Sequence, residues 1–317
     1  MGLTLLQMLG GLAVLVAGAE ILVRGSVGTA LRFGLTPLLI GLTIVAFGTS
    51  APELVVSIQA AYNGSDDIAL GNIIGSNISN IALILGLAAM IQPLKVQASI
   101  IRKDVPILLG TSLLLVFFLM DGVITQLEGV IFFLGVVVFT VVSVRMAKKE
   151  TSEEVKEEFE DVIPEKKLPL WLNIVMIVVG LGLLILGAKW LVDGAIEIAS
   201  SVGLSEAVVG LTIVAVGTSL PELATSVMAA IKKEGDIAIG NVVGSNIFNI
   251  LCILGITAMI LPVSQGGITT VDILLMLGLT VLLLPVLKSG YIVSRFEGAV
   301  LLVIYISYTA YLVMVTS

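Results

Sequence analysis

Histidine is absent from the 317-residue sequence, cysteine occurs once, and charged residues make up only 12% of the chain. Without histidine, and with Cys252 alone, the chain cannot form an internal disulfide or a zinc site of imidazole and thiolate ligands. A soluble domain usually carries about 25% charged residues, so a water-soluble globule is excluded as well. No basic patch with interleaved aromatic residues occurs, which excludes nucleic acid as a partner.

Long uncharged apolar runs dominate the sequence instead. Hydrophobic residues form 58% of the chain, and about 20 helical residues suffice to cross the hydrocarbon of a bilayer. The runs predict an all-α polytopic membrane protein with ten transmembrane helices embedded in the lipid bilayer. The predicted spans are residues 3–23, 37–62, 68–91, 105–120, 126–146, 170–192, 206–231, 236–261, 271–288 and 296–316.

Basic residues are divided unequally between the loops that join these spans. Alternate loops carry 15 of the 16 Lys and Arg residues, and Lys189 near the end of the sixth span is the exception. Cytoplasmic loops retain Lys and Arg, so we predict that these loops lie inside and both termini outside the cell membrane. The first span is expected to be retained, because Arg24 follows it and no positive charge precedes it.

One long polar segment, residues 148–168, separates two halves of five spans each. It contains eight acidic residues and is predicted to be an acidic cytoplasmic linker between residues 1–147 and residues 169–317. The segment lacks the glycine turn and the ligand spacing of an EF-hand loop, so a regulatory cation site has no support there.

An internal repeat relates the two halves. Residues 42–80 and 211–249 are identical at 24 of 39 positions with a constant offset of 169. Because each half contains an odd number of spans, the second copy enters the membrane in the opposite direction. Inverted repeats are typical of secondary transporters, whose binding site lies between the repeats near the middle of the bilayer. The sequence therefore predicts two inverted five-helix repeats.

Each repeat places one glutamate deep inside an apolar span, Glu53 in the first and Glu222 in the second. An acid inside the membrane indicates function unless a basic residue pairs with it, and Lys189 cannot pair with both. A glycine and a proline before each glutamate weaken the helix and are expected to free backbone carbonyls, with Ala46 and Ala215 as candidates. A kink that served packing alone would not explain the acid.

Hydroxyl and amide side chains recur around the two glutamates. Thr49 and Ser50 precede Glu53 by four and three residues, so they share its helix face, and the second repeat has the same spacing. In the neighbouring spans Asn and Ser recur every fourth residue, while glycines four residues apart favour close helix packing. The predicted cation ligands or their neighbours are Thr49, Ser50, Thr218, Ser219, Ser76, Ser245, Asn80 and Asn249, with Asn72 and Asn241 as secondary polar lining.

Oxygen is the only ligand atom that these side chains and carbonyls offer. Hard cations prefer such sites, and calcium takes about six to eight oxygens. Two carboxylates neutralise one Ca²⁺ without leaving net charge in the membrane. Magnesium is disfavoured, because it gives up its bound water reluctantly. The residues therefore favour a calcium site.

The repeated segments resemble the paired alpha repeats of the calcium/cation antiporter superfamily, and within it the sodium/calcium exchanger family of prokaryotes. The resemblance rests on GTSAPE (48–53), GTSLPE (217–222), GNIIGSN (71–77) and GNVVGSN (240–246), and it covers the whole chain in span number and arrangement. It implies exchange of Ca²⁺ for Na⁺ by alternating access, with Glu53 and Glu222 as central calcium ligands and Ser76 and Ser245 at flanking sodium sites. It also implies that the first and sixth spans slide past the other eight.

The resemblance departs at Asn80 and Asn249. Some relatives carry an acid at one of these positions, and potassium-dependent members carry aspartate there, so potassium co-transport is disfavoured. Protons could replace Na⁺ at the carboxylate pair. A Ca²⁺/H⁺ antiporter that uses the same site is therefore the alternative.

Two other classes of function fit the residues less well. A cation channel could use the same ligands, but it would need a continuous pore and would conduct without a counter-ion. An intramembrane hydrolase could use Ser50 or Ser219, yet without histidine only a glutamate or Lys189 could act as its base. We therefore expect Ca²⁺ and Na⁺ as transported substrates, no enzymatic activity, no cofactor and no obligatory protein partner.

Overall fold

Helices make up almost all of the computed structural model, which describes residues 2–33, 35–150, 168–201 and 215–316. The first half contains α1 (Gly2–Phe33), α2 (Pro37–Ile40), α3 (Ala46–Thr49), α4 (Ala51–Tyr62), α5 (Asp66–Ser79), α6 (Gly86–Ile91), β1 (Leu94–Lys95), α7 (Val105–Phe118), β2 (Val123–Ile124) and α8 (Gln126–Glu150). The second half contains α9 (Leu170–Ser201), α10 (Ala215–Thr218), α11 (Leu220–Ile231), α12 (Gly235–Phe248), α13 (Gly255–Ile260), β3 (Val263–Ser264), α14 (Thr270–Lys288), β4 (Ile292–Val293) and α15 (Arg295–Thr316). Residues 151–167 of the predicted linker and 206–214 of the predicted seventh span lie outside the described residues.

Stretches of π-helix continue several of these helices. They cover Gly41–Val45 between α2 and α3, and Ile100–Asp104 before α7. Two further stretches, Asn80–Leu85 after α5 and Asn249–Leu254 after α12, lie at equivalent places in the two halves. π-Helical turns are rare and often occur at functional sites. Their recurrence at Asn80–Leu85 and Asn249–Leu254 indicates a function for this part of each repeat.

Seven helices of the described residues are long and apolar enough to cross a membrane. The number rises to eight if the bent pair Pro37–Thr49 and Ala51–Tyr62 forms one span, and α11 is a shorter apolar helix. These helices lie where the sequence predicted spans. The predicted class, a helical polytopic membrane fold, is therefore confirmed.

The first and sixth helices are longer than their predicted spans. Helix α1 continues to Phe33 rather than ending near residue 23, and α9 continues to Ser201 rather than to residue 192. Arg24 ends the apolar run, but its guanidinium pairs with Glu20 one turn earlier, which is compatible with a continuing helix. The predicted boundary was wrong because a charge ends a hydrophobic run without ending the helix.

Two short antiparallel strand pairs join the halves at corresponding places. Strand β1 pairs with β4, with Leu94 opposite Val293, and β2 pairs with β3, with Ile124 opposite Val263. The two pairs are related by the same offset of 169 as the sequence repeat. Each pair therefore contains one strand from each half. The repeat seen in the sequence is thus also present in the tertiary structure.

Helices α1 and α9 pack against each other along their length through glycines. A Cβ atom at Gly18 would lie 2.9 Å from the carbonyl oxygen of Gly180, and one at Gly187 would lie 2.7 Å from that of Gly11. Larger residues at these positions would push the two backbones apart, so glycine allows the close approach. The two helices thus form one closely packed pair.

The buried centre of the fold is formed by α5 and α12 with the π-helical stretches that continue them. Ile73 and Ile78 on α5, and Ile239 and Ile247 on α12, are fully buried. Helix α5 packs against α4, and α12 packs against α11. The stripes of Asn and Ser on α5 and α12 are consequently held inside the protein beside the helices that carry the two glutamates.

Candidate cation site

Each glutamate of the repeats lies in the first turn of a helix that restarts after a break. Between α3 and α4, Ser50 leaves the helical conformation with ψ of 9°, and α4 is bent by 42° from the helical segment before it. Ser219 has the matching ψ of 5° before α11. The positive end of a helix dipole therefore lies at Glu53 and at Glu222, where it stabilises a carboxylate.

The two breaks face each other, and each supplies a serine to the glutamate of the other half. Ser50 Oγ donates to Glu222 Oε1 at 2.7 Å, and Ser219 Oγ donates to Glu53 Oε1 at 3.3 Å. Each glutamate is only 1% exposed. The structure thus brings the two repeated acids together inside the protein, as the repeat predicted.

One oxygen of each carboxylate has no hydrogen-bond partner among the described residues. These atoms are Oε2 of Glu53 and Oε2 of Glu222, and both are buried. Nor does any Lys or Arg in the described part of the chain form an ion pair with either glutamate. A buried charge without a partner is strongly destabilising, so this pair calls for a positive partner from elsewhere.

Two asparagines support the breaks from the neighbouring helices. Asn72 Nδ2 donates to the Glu53 carbonyl and to Ser57 Oγ, and Asn241 makes the equivalent two bonds in the second half, all at 3.0–3.3 Å. The Thr49 hydroxyl donates to Asn241 Oδ1 at 3.2 Å, and the corresponding bond to Asn72 measures 3.4 Å. Each asparagine therefore connects the glutamate helix of its own half with the threonine of the other. This arrangement suits the predicted secondary polar lining.

A second set of amides crosses between the halves next to Ser76 and Ser245. Asn80 Nδ2 donates to Asn246 Oδ1 at 3.0 Å, and Asn249 Nδ2 donates to Asn77 Oδ1 at 2.9 Å. The side-chain oxygens of Asn80 and Asn249 are buried and have no partner among the described residues. They are available to a cation, whereas Asn77 uses its oxygen to hold Asn249.

Four polar residues of this neighbourhood were missed at the sequence level, namely Asn77, Asn246, Ser57 and Ser226. Asn77 and Asn246 belong to the repeated GSN motifs, but they lie one position off the stripe of every fourth residue. Ser57 and Ser226 follow their glutamates by four residues. Identity between the repeats at all four positions was the signal that could have found them.

The backbone changes to π-helix at the two asparagines themselves, because Asn80–Leu85 and Asn249–Leu254 begin there. The surrounding Ile and Leu residues give no sign of this change in the sequence. π-Helical turns often mark functional sites. Their start at the same residue of both repeats associates them with the asparagines, whose side-chain oxygens have no partner in the described part of the chain.

The two predicted flanking serines have unequal surroundings. Ser219 Oγ lies 3.4 Å from Ser76 Oγ, which places Ser76 beside the hydroxyl that binds Glu53. Ser245 Oγ is fully buried, and no hydrogen-bond partner for it occurs among the described residues. The corresponding serines thus differ in their contacts, although the repeat gives them the same neighbours in sequence.

The expectation of a freed carbonyl at Ala46 is wrong. The Ala46 oxygen accepts the Ser50 amide at 3.1 Å, and the Thr49 hydroxyl lies 3.4 Å from it. The bond forms because Ser50 keeps a φ of −83°, so helical hydrogen bonding continues one residue beyond α3. A carbonyl oxygen has two lone pairs, which leaves room for a further ligand. Ala215 begins α10, and the residues just before it lie outside the described part.

The sodium/calcium exchanger protein family matches residues 3–145 and 172–314, which cover most of both halves. The putative antiporter CaxA of Alkalimonas amylolytica is 41% identical over 253 residues, 80% of this chain and 79% of its own. The inner membrane protein YrbG of Escherichia coli K12 is 38% identical over 259 residues, 80% and 78% of the two chains. The sodium/calcium exchanger MaX1 of Methanosarcina acetivorans is 31% identical over 332 residues, 94% and 95% of the two chains.

A solved structure extends the similarity to the whole fold. The sodium-calcium exchanger NCX_Mj, soaked with Na⁺ and Ca²⁺, matches this chain with a TM-score of 0.85 and 30% identity, over 97% of this chain and 98% of its own. The match includes both halves and the helices that carry the repeated motifs. The chain belongs to the sodium/calcium exchanger protein family of membrane antiporters, as its repeated motifs implied.

Proposed function

We propose that the chain is a secondary active antiporter that carries Ca²⁺ across the cell membrane in exchange for Na⁺. One observation supports this above all: Glu53 and Glu222 meet inside the protein, and each retains a buried carboxylate oxygen without a partner among the described residues. A pair of buried negative charges needs compensating positive charge. One Ca²⁺ provides it in full, and Na⁺, which also prefers oxygen ligands, competes for the same atoms.

The remaining ligands are proposed to be neutral oxygens. No group of three or more His, Cys, Asp or Glu occurs among the described residues, so the two glutamates are the acidic ligands that this part of the chain offers. Calcium accepts hydroxyl, amide and carbonyl oxygens beside carboxylates. The proposed set comprises Glu53, Glu222, Thr49, Thr218, Ser50, Ser219, Ser76, Ser245, Asn80, Asn249 and the backbone of Ala46 and Ala215, with Asn72 and Asn241 behind them.

The proposed architecture has ten spans in two inverted halves, residues 1–147 and 169–317. The corresponding strand pairs, helix breaks and π-helical stretches support the relation between the halves. The basic loops support a cytoplasmic linker at residues 148–168 and termini outside. The Escherichia coli relative is named an inner membrane protein, which agrees with a place in the cell membrane.

Coupled exchange follows from the charge of the site. An unoccupied pair of charged glutamates is too unfavourable to carry between the inward-open and outward-open states. Ca²⁺ or Na⁺ must therefore occupy the pair before the halves rearrange. Each carboxylate also bonds to a serine of the opposite half, so occupation of the site and the relative position of the halves are linked.

Purified protein in liposomes tests the coupling ion directly. Liposomes loaded with Na⁺ and diluted into Na⁺-free medium with ⁴⁵Ca²⁺ should accumulate calcium, and dissipating the Na⁺ gradient should stop the uptake. A matched set with an imposed pH gradient and no Na⁺ serves as the comparison. Uptake that ignores Na⁺ but follows the pH gradient would reject sodium coupling in favour of Ca²⁺/H⁺ exchange.

A further inference from the structure

The α1–α9 pair contacts the two halves unequally, although the halves repeat one another. Helix α1 packs along α11, whereas the corresponding contact between α9 and α4 is marginal within the described residues. Inverted-repeat transporters alternate access by moving one bundle or repeat against the other around a fixed site. In the opposite state, by the symmetry of the repeat, α9 would pack along α4 and α1 would separate from α11.

An ion pair joins α1 to the end of α11. Lys232 Nζ, just after α11, lies 3.2 Å from Glu20 Oε1 on α1, and Arg24 binds the same carboxylate oxygen from the next turn. Burial raises the pKa of the nearby Glu234 carboxyl, and the charge of Lys232 opposes that rise. Lys232 thus contacts a carboxylate of α1 and also acts electrostatically on Glu234 of its own loop.

The repeat provides no equivalent ion pair for the opposite state. At the offset of 169, Glu20 corresponds to Lys189 on α9, and Lys232 corresponds to Asn63 at the end of α4. If α9 packed along α4 as α1 now packs along α11, Lys189 would face an uncharged amide. The attraction between Glu20 and Lys232 therefore belongs to one arrangement only.

We propose that Glu20 and Lys232 form a latch that stabilises the state in which α1 packs against α11, and that this latch makes the two access states unequal in population. The proposal rests on the proposed function, because it assumes that the halves exchange their arrangement. Lys232 lies in a loop predicted to be cytoplasmic, so the latch would hold the cytoplasmic side closed. A partly exposed ion pair has a modest effect, and we expect a population shift of about two- to fivefold.

Amide hydrogen exchange of the purified full-length protein in lipid nanodiscs tests the latch. Glu20→Gln should increase exchange at residues 229–236 and decrease it at residues 60–67, each by about two- to fivefold, as the population moves to the opposite state. Asn63→Glu should cause the same shift without touching the latch, because it gives Lys189 a partner in the opposite state. Asn63→Gln, which adds no charge, should match the unmodified protein.

The reciprocal change distinguishes a latch from a merely local contact. Faster exchange at residues 229–236 without slower exchange at residues 60–67 would overturn the proposal, and so would an unchanged profile at both ends. The measurement uses no ion gradient. A protein that shows the reciprocal shift but no Na⁺-driven Ca²⁺ uptake would therefore refute sodium coupling and leave the latch standing.

Discussion

Glu53 in the first half accepts a serine hydroxyl at 3.3 Å, whereas Glu222 in the second half accepts one at 2.7 Å. The residues that build these two bonds are identical, so the difference comes from how the halves are packed and not from their chemistry. Within α1 and α9 the corresponding residues themselves differ, because Glu20 and its counterpart Lys189 carry opposite charges. The halves thus share the residues of the site and differ in the charges on the α1–α9 pair.

The largest expected effect tests whether both halves are needed at the site. Glu53→Gln and Glu222→Gln should each reduce ⁴⁵Ca²⁺ uptake at least about 100-fold, because one carboxylate leaves half of the calcium charge uncompensated in a buried site. Glutamine keeps the size of the side chain and an acceptor for the serine. Size-exclusion chromatography and thermal unfolding verify that the variants fold. Normal uptake by either variant would show that the substituted glutamate is not needed for transport.

A smaller effect should separate the two serines. Ser50→Ala should weaken Ca²⁺ binding about tenfold or more, because it removes a proposed ligand hydroxyl that also orients Glu222. A hydrogen bond to a charged group contributes about 1.5–3 kcal/mol. Ser219→Ala should cost less, about threefold, since its bond to Glu53 is longer at 3.3 Å. Isothermal titration with Ca²⁺ measures both affinities under one set of conditions. Equal losses would mean that the unequal distances do not persist when calcium is bound.

The repeat explains why the centre of the site was predictable from the sequence. A motif that occurs twice predicts the same local structure twice, here the break before Glu53 and the break before Glu222. If the halves have opposite orientations, as the odd number of predicted spans implies, the two breaks come together at one interface. The meeting of the glutamates and the position of Asn72 behind them follow from this symmetry, without knowledge of any single contact.

Contacts across the interface were not predictable in the same way, because they depend on helix rotation. Asn77 lies one position off the Asn and Ser stripe, yet it binds Asn249 of the other half. The π-helical turn that begins at Asn80 changes which side chains face the interface, and the flanking aliphatic residues do not signal it. The carbonyl of Ala46 was predicted free, although the φ of Ser50 lets the turn close. Each of these depends on local backbone geometry.

The α1–α9 pair offers a comparison of corresponding glycines away from the site. Gly18→Ala and Gly187→Ala should each lower the stability by about 1–3 kcal/mol, because the new Cβ would lie within 3 Å of the opposite backbone. Gly182→Ala on the same helix pair is the matched control, since a Cβ there meets no atom within 4 Å. Thermal unfolding in detergent ranks the three variants. If Gly18→Ala is as stable as the control, the helices separate easily and the pair is not a close-packed unit.

The smallest expected effect concerns the first turns of α8 and α15. Thr125 and Ser294 are corresponding residues, and each binds the glutamate three residues later, Glu128 or Glu297, through both its amide and its hydroxyl at 2.7–2.8 Å. Such capping boxes satisfy free amides at a helix start, so Thr125→Ala and Ser294→Ala should each lower the stability by about 1 kcal/mol. Thermal unfolding measures both. Equal losses would confine the inequality of the halves to the glutamate–serine bonds and the contacts of α1 with α11. Clearly unequal losses would extend it to the first turns of α8 and α15.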